Sequence, residues 1–401
     1  MNKGKLQQTI IFIALGSVSS VSVAQEPITV GPADVIPTLN LGVTYDDNIR
    51  SEETNTTSDT IITINPSVRA QIDRGVSGFA FDYSLTKGEY LSESSESFLN
   101  QTYGASFGWN IVDTHAVSLS ANIFDAHDAR SPDAISALDA DELDEFKDTT
   151  IAFNYSYGER ALLLGYSLGA TLFDKEYTTN RGGPNGTRLD DFDSQRFDAR
   201  FDVNLSDTFQ VNALLGQSQT RFSDAASEDG DSDEFSYGVG FNWDVSTTFD
   251  LVAAYSKVDR ELINENTQNE FKLDRYNLSG TWSPYSYSQV SLDLGQSVSE
   301  PSSAGDDGER FVETQSASLN WSHNWTDILS SNLSYANSES DYVGSTTGRV
   351  DDTDTIALGV GYQFRRWATL NFSLSQASRG GSEASPKSDK NVAQLSVALT
   401  L

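Results

Sequence analysis

The feature that most constrains this chain is an alternation of apolar and polar residues that recurs, segment after segment, to the C-terminus. From Thr60 to Asp73, the residues Ile62, Ile64, Pro66, Val68, Ala70 and Ile72 fall at every second position, with Thr63, Asn65, Ser67, Arg69 and Gln71 between them. Successive side chains of a β-strand point to opposite faces, so this run is a strand with one apolar and one polar side. The rhythm returns in Phe79 to Leu85, Tyr103 to Ile111, Val117 to Ile123, Ile151 to Tyr157, Leu162 to Leu172, Phe197 to Leu205 and Phe209 to Leu215. It goes on through Phe235 to Val245, Phe249 to Tyr255, Tyr276 to Trp282, Val290 to Leu294, Ala317 to Trp321 and Leu329 to Tyr335. Ile356 to Phe364, Ala368 to Leu374 and Ala393 to Leu401 complete it, and Leu39 to Tyr45 precedes it, giving 18 segments. A count of about 16 is the alternative.

The connections alternate as well. After even-numbered segments they are short, as in Asp73-Arg74-Gly75-Val76, Ser206-Asp207-Thr208 and Ser283-Pro284-Tyr285. After odd-numbered segments they are long and polar, as in Asp125 to Phe146, Asp174 to Ser194 and Phe222 to Glu234. An outer-membrane barrel has short periplasmic turns and long extracellular loops, with an even strand count bringing both termini to the periplasm. A soluble β-sandwich also alternates, but with shorter strands and short connections of both kinds. Tryptophan prefers a membrane interface. Trp109, Trp243, Trp282 and Trp321 close down-going segments, Trp325 falls in the turn after one, and Trp367 opens an up-going one, so all six gather at the predicted periplasmic rim. The fold class expected is all-β: one transmembrane antiparallel β-barrel in the bacterial outer membrane.

Residues 1–24 read as a signal peptide, with Lys3 and Lys5, the apolar run Ile10 to Leu15, and Ser22-Val23-Ala24 before a cleavage at Gln25; residues 25–401 are the barrel. No segment approaches the roughly 18 apolar residues of a transmembrane helix. Cysteine is absent, which excludes disulfides and thiolate sites. The 26 basic residues face 58 acidic ones, and Lys3 and Lys5 leave with the leader, so nucleic acid is excluded as a partner.

A barrel of about 18 strands encloses water unless it is plugged, and no separate plug domain is visible. The polar phase of each strand is then the lumen wall. It is rich in hydroxyls and amides: Ser316, Ser318, Asn320 and Ser322; Asn371, Ser373 and Ser375; Gln394, Ser396 and Thr400. Such groups hydrogen-bond a polar solute, saccharide included, without charge. One strand differs, since Arg196, Asp198, Arg200 and Asp202 alternate in sign along its polar face. They form either a charged constriction that selects solutes or a self-neutralising brace in the wall.

Acidic residues crowd the long loops; Asp125 to Phe146 holds eight, with one arginine. The Glu228 to Glu234 run does not match EF-hand spacing, so the expected use is a solvated surface bridged by divalent ions to lipopolysaccharide, with no dedicated metal site and no cofactor. His115, His127 and His323 are the only histidines. His127 has carboxylate neighbours in sequence but no identifiable nucleophile, and Arg181 to Gly186 lacks the lysine and helix of a phosphate loop, so no enzyme is expected.

The element Val43-Thr44-Tyr45-Asp46-Asp47-Asn48-Ile49, closing the first strand, together with the strand layout of the whole mature chain, resembles a family of outer-membrane β-barrel proteins linked to capsule and exopolysaccharide secretion. That resemblance implies a channel exporting a polysaccharide, with outer-membrane lipid, lipopolysaccharide and periplasmic export components as partners. A general or sugar-selective diffusion porin, or a structural or adhesive barrel, stays open beside it. Barrel chains of this kind usually end in an aromatic residue, whereas this one ends in Leu401.

Overall fold

A computed structural model describes residues 27–130, 142–158, 162–183, 186–224, 230–263, 270–300 and 309–400. The expected leader, residues 1–24, lies outside the described residues, as do Leu401 and parts of the acidic and glycine-rich loop tips, including Glu228, Asp229, Pro184 and Asn185. The first strands are β1 (Ile28–Val30), β2 (Ala33–Asp46), β3 (Asp59–Asp73), β4 (Ser77–Tyr90), β5 (Phe98–Val112), β6 (His115–Asp128) and β7 (Asp144–Tyr157). Next come β8 (Leu164–Tyr177), β9 (Phe192–Asn204), β10 (Phe209–Phe222), β11 (Ser232–Ser246), β12 (Phe249–Leu262) and β13 (Glu270–Tyr285). The last are β14 (Ser288–Ser299), β15 (Phe311–Thr326), β16 (Leu329–Val343), β17 (Val350–Arg365), β18 (Ala368–Gly381) and β19 (Ser388–Thr400).

From β2 to β19 each strand pairs antiparallel with its neighbours in sequence, and β19 returns to β2 with Ala393 opposite Tyr45 and Leu399 opposite Leu39. This closes an 18-strand barrel with no free edge, so every strand backbone finds its partners within the wall. The short β1 pairs only with β2, as a hairpin through Gly31 at φ 62°. No helix among the described residues is long and apolar enough to cross a membrane; the crossing is made by strands.

Each of the 18 expected segments falls on one of the strands β2 to β19, in the expected order. The strands run further than the alternation did: Ile151 to Tyr157 is the lower half of β7, and Ile356 to Phe364 the lower part of β17. Backbone pairing continues beyond the lipid band into water, where Asp, Glu and Thr replace the apolar partners and erase the sequence signal. Three boundaries shift. The seventh segment begins at Leu164, with Leu162 and Leu163 in the bend before it, β9 ends at Asn204, one residue before Leu205, and β15 runs on through Trp325, where the sequence pattern places a turn.

The apolar phase faces outward, with Phe201 48% and Leu358 42% exposed. Water would not tolerate such a continuous band, whereas hydrocarbon does. At the short-turn end, Tyr155 and Tyr157 crowd around His115, and Trp321 and Trp325 around His323, forming an aromatic girdle. Side chains buried together gather at the opposite end, where Ala126, Phe146 and Tyr177 pack with Phe124.

Candidate functional site

The lumen wall follows from the register. Since Phe197 and Phe201 point outward on β9, the intervening Arg196, Asp198, Arg200 and Asp202 fall in the inward phase. Each guanidinium pairs within its own strand. Arg196 donates from Nε and Nη2 to the carboxylate of Asp198 at 2.8–3.0 Å, and Arg200 donates from Nε to Asp202 at 2.6 Å. Arg200 also donates to Gln210 Oε1 at 2.9 Å, while Gln210 donates to Asn204 Oδ1 at 2.7 Å and Asn204 to the carbonyl of Leu162 at 2.7 Å. The ladder is therefore stitched into the wall from β9 to β10 and down to the turn before β8. Small residues leave it room: Gly165, Ser167 and Gly169 on β8 and Gly216 on β10 are its direct cross-strand neighbours. A Cβ on Gly216 would lie 3.2 Å from Asp198 Oδ1, so glycine there lets the ion pair lie against the backbone.

The hydroxyl and amide wall stands half-way round the barrel. Ser316, Ser318, Asn320 and Ser322 of β15, Asn371, Ser373 and Ser375 of β18, and Gln394, Ser396 and Thr400 of β19 all fall in the inward phase, opposite to outward Leu319, Phe372, Leu374 and Leu395. Polar cross-strand pairs continue this lining, as in Asn40 with Asn65 at 3.2 Å and Thr314 with Ser340 at 3.0 Å.

The long-loop mouth is more closed than the residue pattern implied. Val258 and Leu262 occupy the inward phase of β12, yet both are fully buried. Between them Arg260, 4% exposed, bonds Glu300, lies 3.6 Å from Glu234, and sits over the Phe311 ring. Arg275 supplies Glu234 with a second guanidinium at 2.9 Å. Glu300 lies beyond the end of β14, and burial pushes its carboxyl above the ordinary range even though Arg260 opposes the shift. On the other side of the mouth, buried Glu96 pairs with Arg50 at 2.9 Å and with Arg130 at 3.1 Å, tying three successive long loops together. Burial works against the charge of Arg50, but Glu96, Glu93 and Glu52 together raise its pKa. Paired charges of this kind hold loops in one geometry, because leaving any of them unpaired and buried is costly.

The mouth network was not visible in the sequence as a set, since its partners come from separate strands. The signal for it was apolar residues standing in the polar phase near the outer strand ends, such as Val258, Leu262, Phe173, Phe192 and Phe222. His127 faces no nucleophile; its Nδ1 is 2.9 Å from Asn100 Oδ1 and its ring stacks on Phe98. No group of three or more potential ligands for a metal occurs among the described residues.

The family described as "Putative beta-barrel porin 2" matches residues 26–401. No curated protein matches the chain. Among solved structures, the FrpB iron transporter from Neisseria meningitidis (F3-3 variant) is similar at 9% identity and TM-score 0.50, over 90% of this chain and 63% of that one. The chain thus spans less than two thirds of the transporter's length. OccAB2 and OccAB4 of Acinetobacter baumannii are similar at 9% and 12% identity, each over 92% of this chain and 98% of its own, with TM-score 0.50. At such identities these likenesses concern the barrel fold alone.

Proposed function

The chain belongs to the putative beta-barrel porin 2 family and is a porin-like barrel of the bacterial outer membrane; we propose that it is a selective diffusion porin for small polar solutes, neutral saccharides foremost. The observation that carries this reading is the lumen wall: a hydroxyl and amide lining on β15, β18 and β19 facing a charge ladder on β9 whose arginines are already neutralised. A wall of this chemistry exchanges hydrogen bonds with a solute without trapping it electrostatically. The packed mouth at Arg260 and Glu96 supports selection over free diffusion, since it narrows entry from the long-loop side. Export of a capsular polysaccharide or exopolysaccharide, which the family resemblance implied, draws support from neither the matching family's description nor the names of the similar structures.

Arg196, Asp198, Arg200 and Asp202 are assigned to the wall as a brace that also sets ion selectivity. Neutralising all four, with Asn for Asp and Gln for Arg, separates the two roles: lost thermal stability marks the brace, and a shifted reversal potential marks the constriction. The porin reading itself is tested by proteoliposome uptake of radiolabelled saccharides and amino acids. Size-dependent uptake of small solutes, at rates well above protein-free vesicles, is expected; vesicles that stay impermeable to every small solute would exclude it.

A further inference from the structure

On the inward face of the wall, one sector carries aromatic rings where the rest carries hydroxyls. Phe173 of β8, Phe192 of β9 and Phe222 of β10 form a continuous arc, with ring centroids 5.5 Å and 5.6 Å apart. Phe192 lies directly opposite Phe222 across the strand pair. All three rings are half-buried, whereas the neighbouring Phe146 and Tyr177 are buried beneath the mouth and capped by the Lys175 ammonium at 4.2 Å and 4.8 Å. Phe222 is held from above by Gly230, where a Cβ would come within 2.6 Å of the ring. The arc is therefore fixed in place and keeps part of its surface toward the lumen.

Directly below it the lining changes chemistry. The next inward residues are Ser194 on β9 and Thr220 on β10, paired with one another, with Thr171 below Phe173 on β8. One step further is Arg196, opposite Ser218 and Thr171. Each step of two residues covers about 6.8 Å along the strand, roughly the span of one sugar ring. Arg196 is 41% exposed and is neutralised by Asp198 through Nε and Nη2, leaving Nη1 without a protein partner among the described residues. The Arg196 guanidinium offers an anion no unpaired charge, and the Lys175 ammonium, whose residue stands opposite Phe192, lies over the Phe146 and Tyr177 rings.

A ligand that matches has an apolar face, hydroxyl edges and no charge. We propose that the Phe173–Phe192–Phe222 arc is a stacking platform for a ring of a neutral saccharide, whose hydroxyls reach Ser194 and the Nη1 of Arg196. This inference rests on the porin reading above and names the capture site within it. Ring faces present π density to the C–H groups of a sugar, and the polar row below them takes its hydroxyls.

The test is interruption of ion current through the purified full-length channel in a planar bilayer, by a panel of neutral di- and trisaccharides including sucrose, cellobiose and maltotriose. At least one should block transiently. Phe192→Leu, which keeps apolar packing but removes the aromatic face, should weaken that block about tenfold, the scale of one lost stacking contact. Open-channel conductance should be unchanged, and Phe192→Tyr should retain the block. If Phe192→Leu is blocked like the wild type, the arc is only a packing layer beneath the loops and the proposal is wrong. It is equally overturned if a conducting channel is blocked by none of the panel, or only by organic amines such as spermidine. A protein that never conducts overturns the porin reading together with this inference, and so can be told from the other outcomes.

Discussion

Replacing Phe201 by arginine probes the membrane phase of the wall at its most sensitive height. Phe201 pairs with Ala213, which pairs with Val239, and this row lies four residues above the Phe209–Trp243 row and four below Phe197–Gln217–Phe235. Four residues are about 13.6 Å along a strand, or about 10 Å of height at a tilt of ~40°. That puts Phe201 near the middle of an apolar band ~25 Å tall, where an outward arginine costs about 2–4 kcal/mol. The folded population should fall by roughly 30- to 1,000-fold, at 1.4 kcal/mol per tenfold. Ser318→Arg, in the inward phase of β15, places the same charge in water and should cost under about 0.5 kcal/mol. The assay is reversible urea unfolding in lipid vesicles, followed by the girdle tryptophans. A larger cost for Ser318→Arg than for Phe201→Arg would mean that inside and outside have been exchanged, since a shift of one residue flips every side chain in a strand, and equal costs would mean that the two faces do not meet different solvents.

Three further outcomes follow from the same structure. Glu96→Gln removes the carboxylate that Arg50 and Arg130 share, while Arg50 keeps Glu93, and should cost about 1–3 kcal/mol locally; the first three long loops should then be cut by trypsin while the barrel midpoint holds, and loops as resistant as the wild type would contradict the network. Gly238→Ala drives a methyl into the Tyr255 carbonyl and Ser256 backbone and should cost about 1–3 kcal/mol in the urea midpoint, whereas Gly108→Ala, with nothing within 4 Å, should not. The folded barrel should run faster unboiled than boiled on a gel and resist protease through its strands, because no backbone edge is exposed; complete digestion of the native form would refute closure.

The barrel was legible because its two sides face different solvents. Ile62 and Ile64 meet hydrocarbon while Thr63 and Asn65 meet water, and a period of two records that contrast at nearly every strand. The inward phase of Arg196 to Asp202 follows from the same alternation, whereas the partner each guanidinium takes, along β9 or across to β10, depends on side-chain paths the alternation does not record. The mouth was not legible. Arg260, Glu234 and Glu300 come from β12, from β11 and from beyond β14, so their meeting depends on register and on loop paths that no local pattern records. The same holds for the aromatic arc, since Phe173, Phe192 and Phe222 each break the polar phase alone and become a surface only when three strands align. The strand ends were underestimated for a related reason: beyond the lipid both faces are polar, and pairing leaves no trace in hydropathy.

The most direct test of the account is conductance of the purified protein in a planar lipid bilayer, using material shown by its gel shift to be folded. An 18-strand wall with a polar lining predicts stable stepwise ion currents, reduced when small neutral solutes occupy the lumen. Folded protein that inserts into the bilayer yet carries no current at any voltage would contradict the channel, and with it the reading of the lumen as a path for solutes.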